Sequence, residues 1–373
     1  MNQVALYHCD AIEQIPQRLQ AIVESLGAER VSALFQSKKV LLKPNVCIDH
    51  PPDKGATTHP AVLDAVIILA KNLGAGTIIV GDGAAVGIKG RIFERTGIQA
   101  VCEKHDVELR DFNREQGRQV QLEDALALEE TSIAQTYFEV DTVVNLPVFK
   151  TNMLFWISGA LKNMKGLLVG MEKHKPHYLG VPQCVADLNR MVRQDLVIMD
   201  GIVGMMGDGP AAGEPANARL LIGGFDPVAV DAVAARLMGF NPAKIPMIHL
   251  AEDVGVGSSQ SEVIGDPITS FNLRLEKPTV AKNRLMGALF NLGGRFFFRK
   301  MGEASRMVVD AQKCTLCGRC QAMCPFGAIT IADKKVQVDA SKCEFCLCCT
   351  EVCKTEAIHL EGLLVRKGAF LRG

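Results

Sequence analysis

The stretch CTLCGRCQAMCP, residues 314–325, decides how the end of this chain folds. Its cysteines, Cys314, Cys317, Cys320 and Cys324, are spaced C-x2-C-x2-C-x3-C, and Pro325 follows. The same spacing returns in CEFCLCCTEVCK, residues 343–354, through Cys343, Cys346, Cys349 and Cys353. Each cysteine lies 29 residues from its counterpart, 314 to 343 and 324 to 353. The repeat extends past the cysteines. Val309-Asp310 returns as Val338-Asp339, Lys313 as Lys342, and Ala328-Ile329 as Ala357-Ile358. This is an internal duplication.

The spacing has a chemical reason. Three thiolates on one tight loop each reach a different iron of one cubane, and the fourth iron takes a thiolate from the other half of the repeat. The expectation is one 4Fe–4S cluster on Cys314, Cys317, Cys320 and Cys353, and a second on Cys343, Cys346, Cys349 and Cys324. Zinc sites show pairs of C-x2-C instead of such triplets. There are two departures from a regular repeat. Lys354 stands where a proline commonly follows the fourth cysteine, and Cys348 is a spare thiol, read as a small buried residue. On these residues, positions 305–362 resemble a bacterial-type ferredoxin domain with two 4Fe–4S clusters. The resemblance implies one-electron transfer.

Composition sets bounds around this segment. Lys+Arg and Asp+Glu both total 41, so the formal net charge is zero. That balance speaks against a general nucleic-acid binder, which carries a basic footprint. An apolar fraction of 48% supports a sizeable core. Residues 1–13 lack the basic and apolar regions of a signal peptide. The most apolar stretch, 61–70, is broken by Asp64. No membrane span is expected, because spanning takes about 20 apolar residues. Nine of the thirteen cysteines fall between Cys314 and Cys353. The cytoplasm is the expected compartment, where clustered cysteines read as metal ligands and not as disulfides.

Residues 1–270 alternate strand-like and helix-like segments, which predicts an α/β fold with a mostly parallel sheet. Strands are expected at 40–43, 77–80, 141–146, 196–199 and 220–222. Residues 60–73 read as a helix, apolar at Val62, Ala65, Val66 and Leu69, with Thr58 or His59 as its cap. Residues 226–238 read as another, opening on Asp-Pro. Four strand ends carry polar or turn residues: Pro44-Asn45, Gly81-Asp82-Gly83, Asn145-Leu146-Pro147 followed by Lys150-Thr151, and Asp200-Gly201. Such sheets bind ligands outside the carboxyl ends of their strands, although these are also ordinary turn residues.

Lys43, Lys150, Lys162 and Lys165 lie near apolar or glycine-rich surroundings and suit point-charge binding of phosphate or carboxylate. Surface lysines on a helix are the ordinary alternative. The candidate cleft comprises Lys43, Asn45, Asp82, Lys150, Lys162, Asn163 and Asp200. The segment Gly81–Gly87 misses the dinucleotide fingerprint by one residue. Gly201, Gly204, Gly207 and Gly209, with Asp200 and Asp208, read as a mobile loop before Pro210. His174 and His177 read as solvated loop histidines.

These motifs carry a second resemblance. Lys43-Pro44-Asn45, Thr58-His59-Pro60, Gly81-Asp82, Asn145-Leu146-Pro147 with Lys150-Thr151, Gly159-Ala160-Leu161-Lys162-Asn163, Asp200-Gly201 and Asp226-Pro227-Val228-Ala229-Val230-Asp231 are similar to the domain-of-unknown-function family numbered 362. The resemblance spans residues 3–260 and implies an α/β architecture with a candidate cleft, often followed by a ferredoxin module. Asn152 departs from it, since histidine is expected after Lys-Thr.

The join, 283–302, carries Arg284, Arg295, Arg299 and Lys300 with no acidic residue, among Leu285, Met286, Leu289, Phe290, Leu292 and Phe296–Phe298. A linker packed between domains is the simpler reading. A basic amphipathic helix making peripheral membrane contact is the alternative. The expected organisation is an α/β domain at 1–270, whose two lobes, if it has them, divide near 130–150. A linker follows at 271–304, then a small α+β ferredoxin-like domain at 305–363 and a tail at 364–373. The expected function is an iron–sulfur oxidoreductase passing low-potential electrons between two 4Fe–4S clusters and a ligand in the cleft. The alternative is a non-catalytic electron-transfer or assembly subunit whose α/β domain binds a protein or metallocofactor. A flavin or other organic cofactor, a redox partner protein and a small-molecule substrate are all compatible with this reading.

Overall fold

The computed structural model describes residues 2–85, 91–278, 281 and 305–362. In chain order the strands of its α/β part are β1 (Asn2–His8), β2 (Lys39–Pro44), β3 (Thr77–Asp82), β4 (Glu108–Asp111), β5 (Gly117–Gln121), β6 (Glu130–Ala134), β7 (Thr142–Leu146), β8 (Val148–Asn152), β9 (Trp156–Ile157), β10 (Leu196–Asp208), β11 (Ala212–Ala216), β12 (Leu220–Gly224) and β13 (Ser261–Gly265). Eleven of them form one sheet, ordered β13-β1-β12-β10-β7-β2-β3-β4, with β8, β9 and β11 attached through β10 and β8. From β10 to β4 every pair on this path is parallel. β12 runs antiparallel to both its neighbours. The stretch 130–150 does not separate two sheets. β2 and β3 from before it, and β10 from after it, flank β7 in the same sheet.

The centre of this sheet is buried on both faces, which is why its strands read as near-continuous apolar runs. On β2, Val40 and Leu42 join one core and Leu41 the other. On β3, Ile78 and Val80 face away from Ile79 in the same way. β10 sends Leu196 and Ile198 to the first face, Val197 and Met199 to the second. The helix Pro60–Asn72 covers the first face with Val62, Leu63, Val66 and Ile67. Its cap is His59, whose Nδ1 accepts from the Ala61 N–H at 3.1 Å, with Pro60 at the first helical position. Thr58 instead ties two strand ends, accepting from Asn45 N–H and donating to the Leu146 carbonyl. The helix Pro227–Leu237 covers the second face, capped by Asp226.

Two expectations are corrected. The glycine-rich stretch 201–209 is not a free loop. Gly201 to Asp208 continue β10, which folds back on β11 through Gly209-Pro210. Its glycines serve close approach: a Cβ at Gly204 would meet the Phe149 carbonyl, and Gly207 has φ +71°. Residues 271–278 do not leave the α/β domain. Phe271 stacks on His8 at 3.8 Å between ring centroids, and Leu273 and Leu275 pack on the core that holds Val197 and Met199. Gly87, the 283–302 segment and the 364–373 tail lie outside the described residues.

The C-terminal module adds β14 (Ser305–Val309), β15 (Ile329–Ala332), β16 (Lys335–Val338) and β17 (Ile358–Gly362). β14 pairs with β17 and β15 with β16, both antiparallel. Val309 faces Ile358 and Ile329 faces Val338, so the repeat of 29 residues maps each ladder onto the other. Other features repeat with it. Leu316 and Phe345 both have positive φ, and Ala328 and Ala357 donate N–H to the Cys324 and Cys353 sulfurs at 3.3 and 3.2 Å.

Candidate functional site

The parallel strands β2 and β3 end on the same edge of the sheet, and β7 with them. The ferredoxin-like module docks over that edge. Asp49, beyond β2, meets Arg319 at 2.8 Å and Lys354 at 3.0 Å from the module, and Arg95 at 2.8 Å from its own domain. Lys354 thus uses its departure from proline to bind the α/β domain. Leu347, at φ 58°, packs with Met153 and Leu154. Asn152, where histidine was expected, holds that turn: its Oδ1 accepts from the Leu154 and Phe155 N–H groups.

Between the two parts lies a cavity of about 120 Å³ lined by Asn45, Asp82, Lys150, Lys162, Lys165, Lys173 and His177 of the α/β domain, with Met323, Glu351 and Val352 of the module. Five of the seven expected cleft residues line it: Asn45, Asp82, Lys150, Lys162 and Asn163. Lys43 stands behind them, fully buried, with Nζ 2.7 Å from Asp82 Oδ1. Asp82 Oδ2 also accepts from the Val46 N–H at 2.7 Å. A Cβ at Gly166 would run into this pair, so the close approach of the 164–167 turn requires glycine.

Asp200 is corrected. It is buried on β10 and does not line the cavity. Its oxygens accept from the His59 and Ile202 N–H groups at 2.6 and 2.9 Å, fixing the start of the Pro60–Asn72 helix. Burial pushes its carboxyl up to about 6, against those two hydrogen bonds. Asp231 has a similar duty. It accepts from the Ala160 and Leu161 N–H groups at 2.6 and 3.0 Å, and so positions the short helix Gly159–Asn163 that carries Lys162.

The polar floor is an amide chain. Lys150 Nζ donates to Asn45 Oδ1 at 2.6 Å and to the Ala56 carbonyl at 2.7 Å, and lies 3.3 Å from Cys47 Sγ. Asn45 donates to Asn163, and Asn163 to Asn145. Burial pulls Lys150 below the ordinary lysine value. Lys165 is lowered to about 8 by burial, helped by Lys162, and its Nζ lies 2.8 Å from His177 Nε2. Lys173 is lowered to about 8 by burial as well, and donates to Asn113 and the Leu168 carbonyl. Lys162 meets Glu351 at 3.4 Å and lies over the Phe155 ring. Burial raises Glu351, but the Lys162 and Lys165 charges outweigh it and hold the carboxyl at about 2.

His174 and His177 are corrected too: both are buried. Burial, with Lys165 beside it, drives His177 well below its ordinary value, so the ring is neutral. Lys173, Cys47 and Glu351 were missed as site residues. Each is brought in by tertiary packing that leaves no local spacing signal, and Glu351 sits inside a cysteine repeat whose spacing points to the clusters.

The module's cysteines line two further cavities. One is walled by Cys314, Cys317, Cys320 and Cys353, the other by Cys324, Cys343, Cys346 and Cys349, with Cys348 as a fifth thiol. Apolar side chains, among them Val309, Val336 and Ile358 in the first and Met307, Ile329 and Val338 in the second, complete each wall. In each recess the four thiols of the repeat, among apolar side chains and with N–H groups on the Cys324 and Cys353 sulfurs, fit a 4Fe–4S cluster. Cys348 is fully buried beside Met323 and Val352.

Residues 306–354 match the 4Fe-4S dicluster domain. A thylakoid-associated protein of Synechocystis sp. is 26% identical over 251 residues, which cover 66% of this chain and 76% of that protein. Two solved structures are similar over part of their length. One is a protein from Thermotoga maritima, at 17% identity and TM-score 0.39, covering 66% of this chain and 60% of that one. The other is the lactate racemase apoprotein from Thermoanaerobacterium thermosaccharolyticum, at 14% identity and TM-score 0.41, covering 64% and 57%. The chain thus spans less than two thirds of either solved structure. Residues 40–236, more than half of the chain and including β2, β3, β7, β8, β10 and every α/β lysine of the cavity, match the domain of unknown function DUF362, and the chain belongs to that family.

Proposed function

We propose that this chain is an iron–sulfur electron-transfer protein, an oxidoreductase in which low-potential electrons pass between the ferredoxin-like module and a ligand in the junction cavity. One observation carries the reading: the lysine-lined cavity is closed by the module itself, through Met323, Glu351 and Val352. Cys314, Cys317, Cys320 and Cys353 would hold one cluster, and Cys343, Cys346, Cys349 and Cys324 the other. When bound, such clusters supply one-electron transfer at a potential set by charge, hydrogen bonding and exposure. Cys346 packs on Met323, Cys348 and Val352, together with Ala85 of the cavity wall, which makes its recess the nearer one. Asn45, Asn163 and Lys150 orient a ligand, while Lys162 and Glu351 join the two parts beside it. Thirteen free thiols suit a reducing compartment such as the cytoplasm. No helix among the described residues is long and apolar enough to cross a membrane.

The test is anaerobic. Iron-loaded protein is reduced with dithionite and mixed with fractionated metabolites, while cluster reoxidation is followed by absorbance and products by mass spectrometry. A small-molecule fraction should reoxidise the protein and yield a reduced product. Lys162→Ala should slow this about tenfold or more, the cost of one lost charge-assisted contact, at unchanged iron content. Reoxidation only by a protein acceptor, indifferent to Lys162→Ala, would show a carrier or assembly subunit instead.

A further inference from the structure

Five lysines gather at the cavity, but only two carboxylates meet them. Asp82 pairs with Lys43 and Glu351 with Lys162. Lys150, Lys165 and Lys173 have only neutral neighbours among the hydrogen bonds described. Glu351 attracts Lys165, and Asp82 and Asp111 attract Lys173, without hydrogen-bonding them, so five lysines still outnumber three carboxylates, and buried like charges repel one another. Lys165 and Lys173, at about 8, still carry their protons at neutral pH. His177 adds a donor: its Nε2 faces Lys165, and its buried Nδ1 has no partner among the described residues. The electrostatics of the cavity are therefore incomplete without negative charge.

Size narrows the ligand. A cavity of about 120 Å³ holds about four waters at roughly 30 Å³ each. That is well below the roughly 300 Å³ at which sites for larger cofactors begin.

We propose that the cavity takes a small organic polyanion, a phosphorylated or dicarboxylic acid, seated on Lys150, Lys165 and Lys173, and not a flavin or nicotinamide dinucleotide. The inference rests on the redox reading above and names the ligand of that site.

Anaerobic calorimetry on the iron-loaded full chain tests it, with inorganic pyrophosphate, succinate and flavin mononucleotide as probes. Pyrophosphate or succinate should bind one to one, and whichever binds tighter identifies phosphate or carboxylate as the recognised group. Lys165→Met and Lys173→Met should each weaken that binding at least about tenfold with iron and sulfide content unchanged, and flavin mononucleotide should give no heat. Should a variant fail to fold, the unaltered protein still decides, because the bound anion should slow acetylation of Lys165 and Lys173 read by mass spectrometry. Binding of neither anion, binding indifferent to both variants, unprotected lysines, or flavin seated on these residues would overturn the proposal. Anion binding with no product formed on reoxidation leaves this inference standing and removes the redox reading. Product formation that Lys162→Ala abolishes, with no anion bound, does the reverse.

Discussion

Asp49 shows how one residue can set the relation between two parts of a chain. Its carboxylate is buried and faces Arg319, Lys354 and Arg95. Burial raises its pKa, but the two module cations outweigh burial and hold it below the ordinary 3.8. A carboxyl depressed on folding contributes stability that is present above 3.8 and lost as pH falls through its lower folded value. Asp49→Asn should therefore cost about 2 kcal/mol near neutrality, less than a fully buried pair because its partners are partly exposed. The cost should shrink in acid, as wild type loses the same charge. Urea unfolding at pH 7 and pH 3 measures both. At this scale the sequence was a partial guide. Lys150, Lys162 and Asn163 were legible because strand ends and a glycine-rich turn marked them. Asp200 was misassigned because a carboxylate that clamps N–H groups and one that faces a ligand look alike beside a glycine. His177 differs from its reading because it is buried by contacts distant from its own loop, Lys165 and Glu351 among them.

Elements were easier to read than residues wherever a period was present. Five strands and two long helices follow from apolar runs, Asp-Pro and His-Pro starts, and the glycine beyond Asn72. β10 was cut short at Met199 because its glycines resemble turn residues. In place they allow Phe149 and Leu220 to approach the strand. The duplication was legible in the sequence, since cysteine spacing and strand pairing share the offset of 29. Its crossed arrangement makes a prediction at this scale. Cys324 lies in the first half but lines the recess of Cys343, Cys346 and Cys349. Cys324→Ser should disturb that cluster and spare the other, lowering iron from about eight towards about four per chain. Cys348→Ser should keep both. Iron and sulfide analysis with EPR of the reduced protein reads the difference. Loss of a cluster with Cys348 but not with Cys349 would reverse the assignment.

At the scale of the whole molecule, docking makes the site. The α/β sheet supplies lysines and amides at its carboxyl edge, and the module supplies Met323, Glu351 and Val352 as the opposite wall. Neither half shows this alone, and no local pattern in the sequence announces a contact between residues 162 and 351. Under the proposed function, the cavity addresses one cluster in preference to the other. An EPR-monitored redox titration of wild type and Lys162→Gln tests it most directly. Removing one positive charge beside Glu351 disfavours the added electron nearby. The cluster of Cys324, Cys343, Cys346 and Cys349 should become harder to reduce while the other keeps its potential. Equal shifts in both clusters, no shift in either, or a shift confined to the cluster of Cys314, Cys317, Cys320 and Cys353 would contradict it.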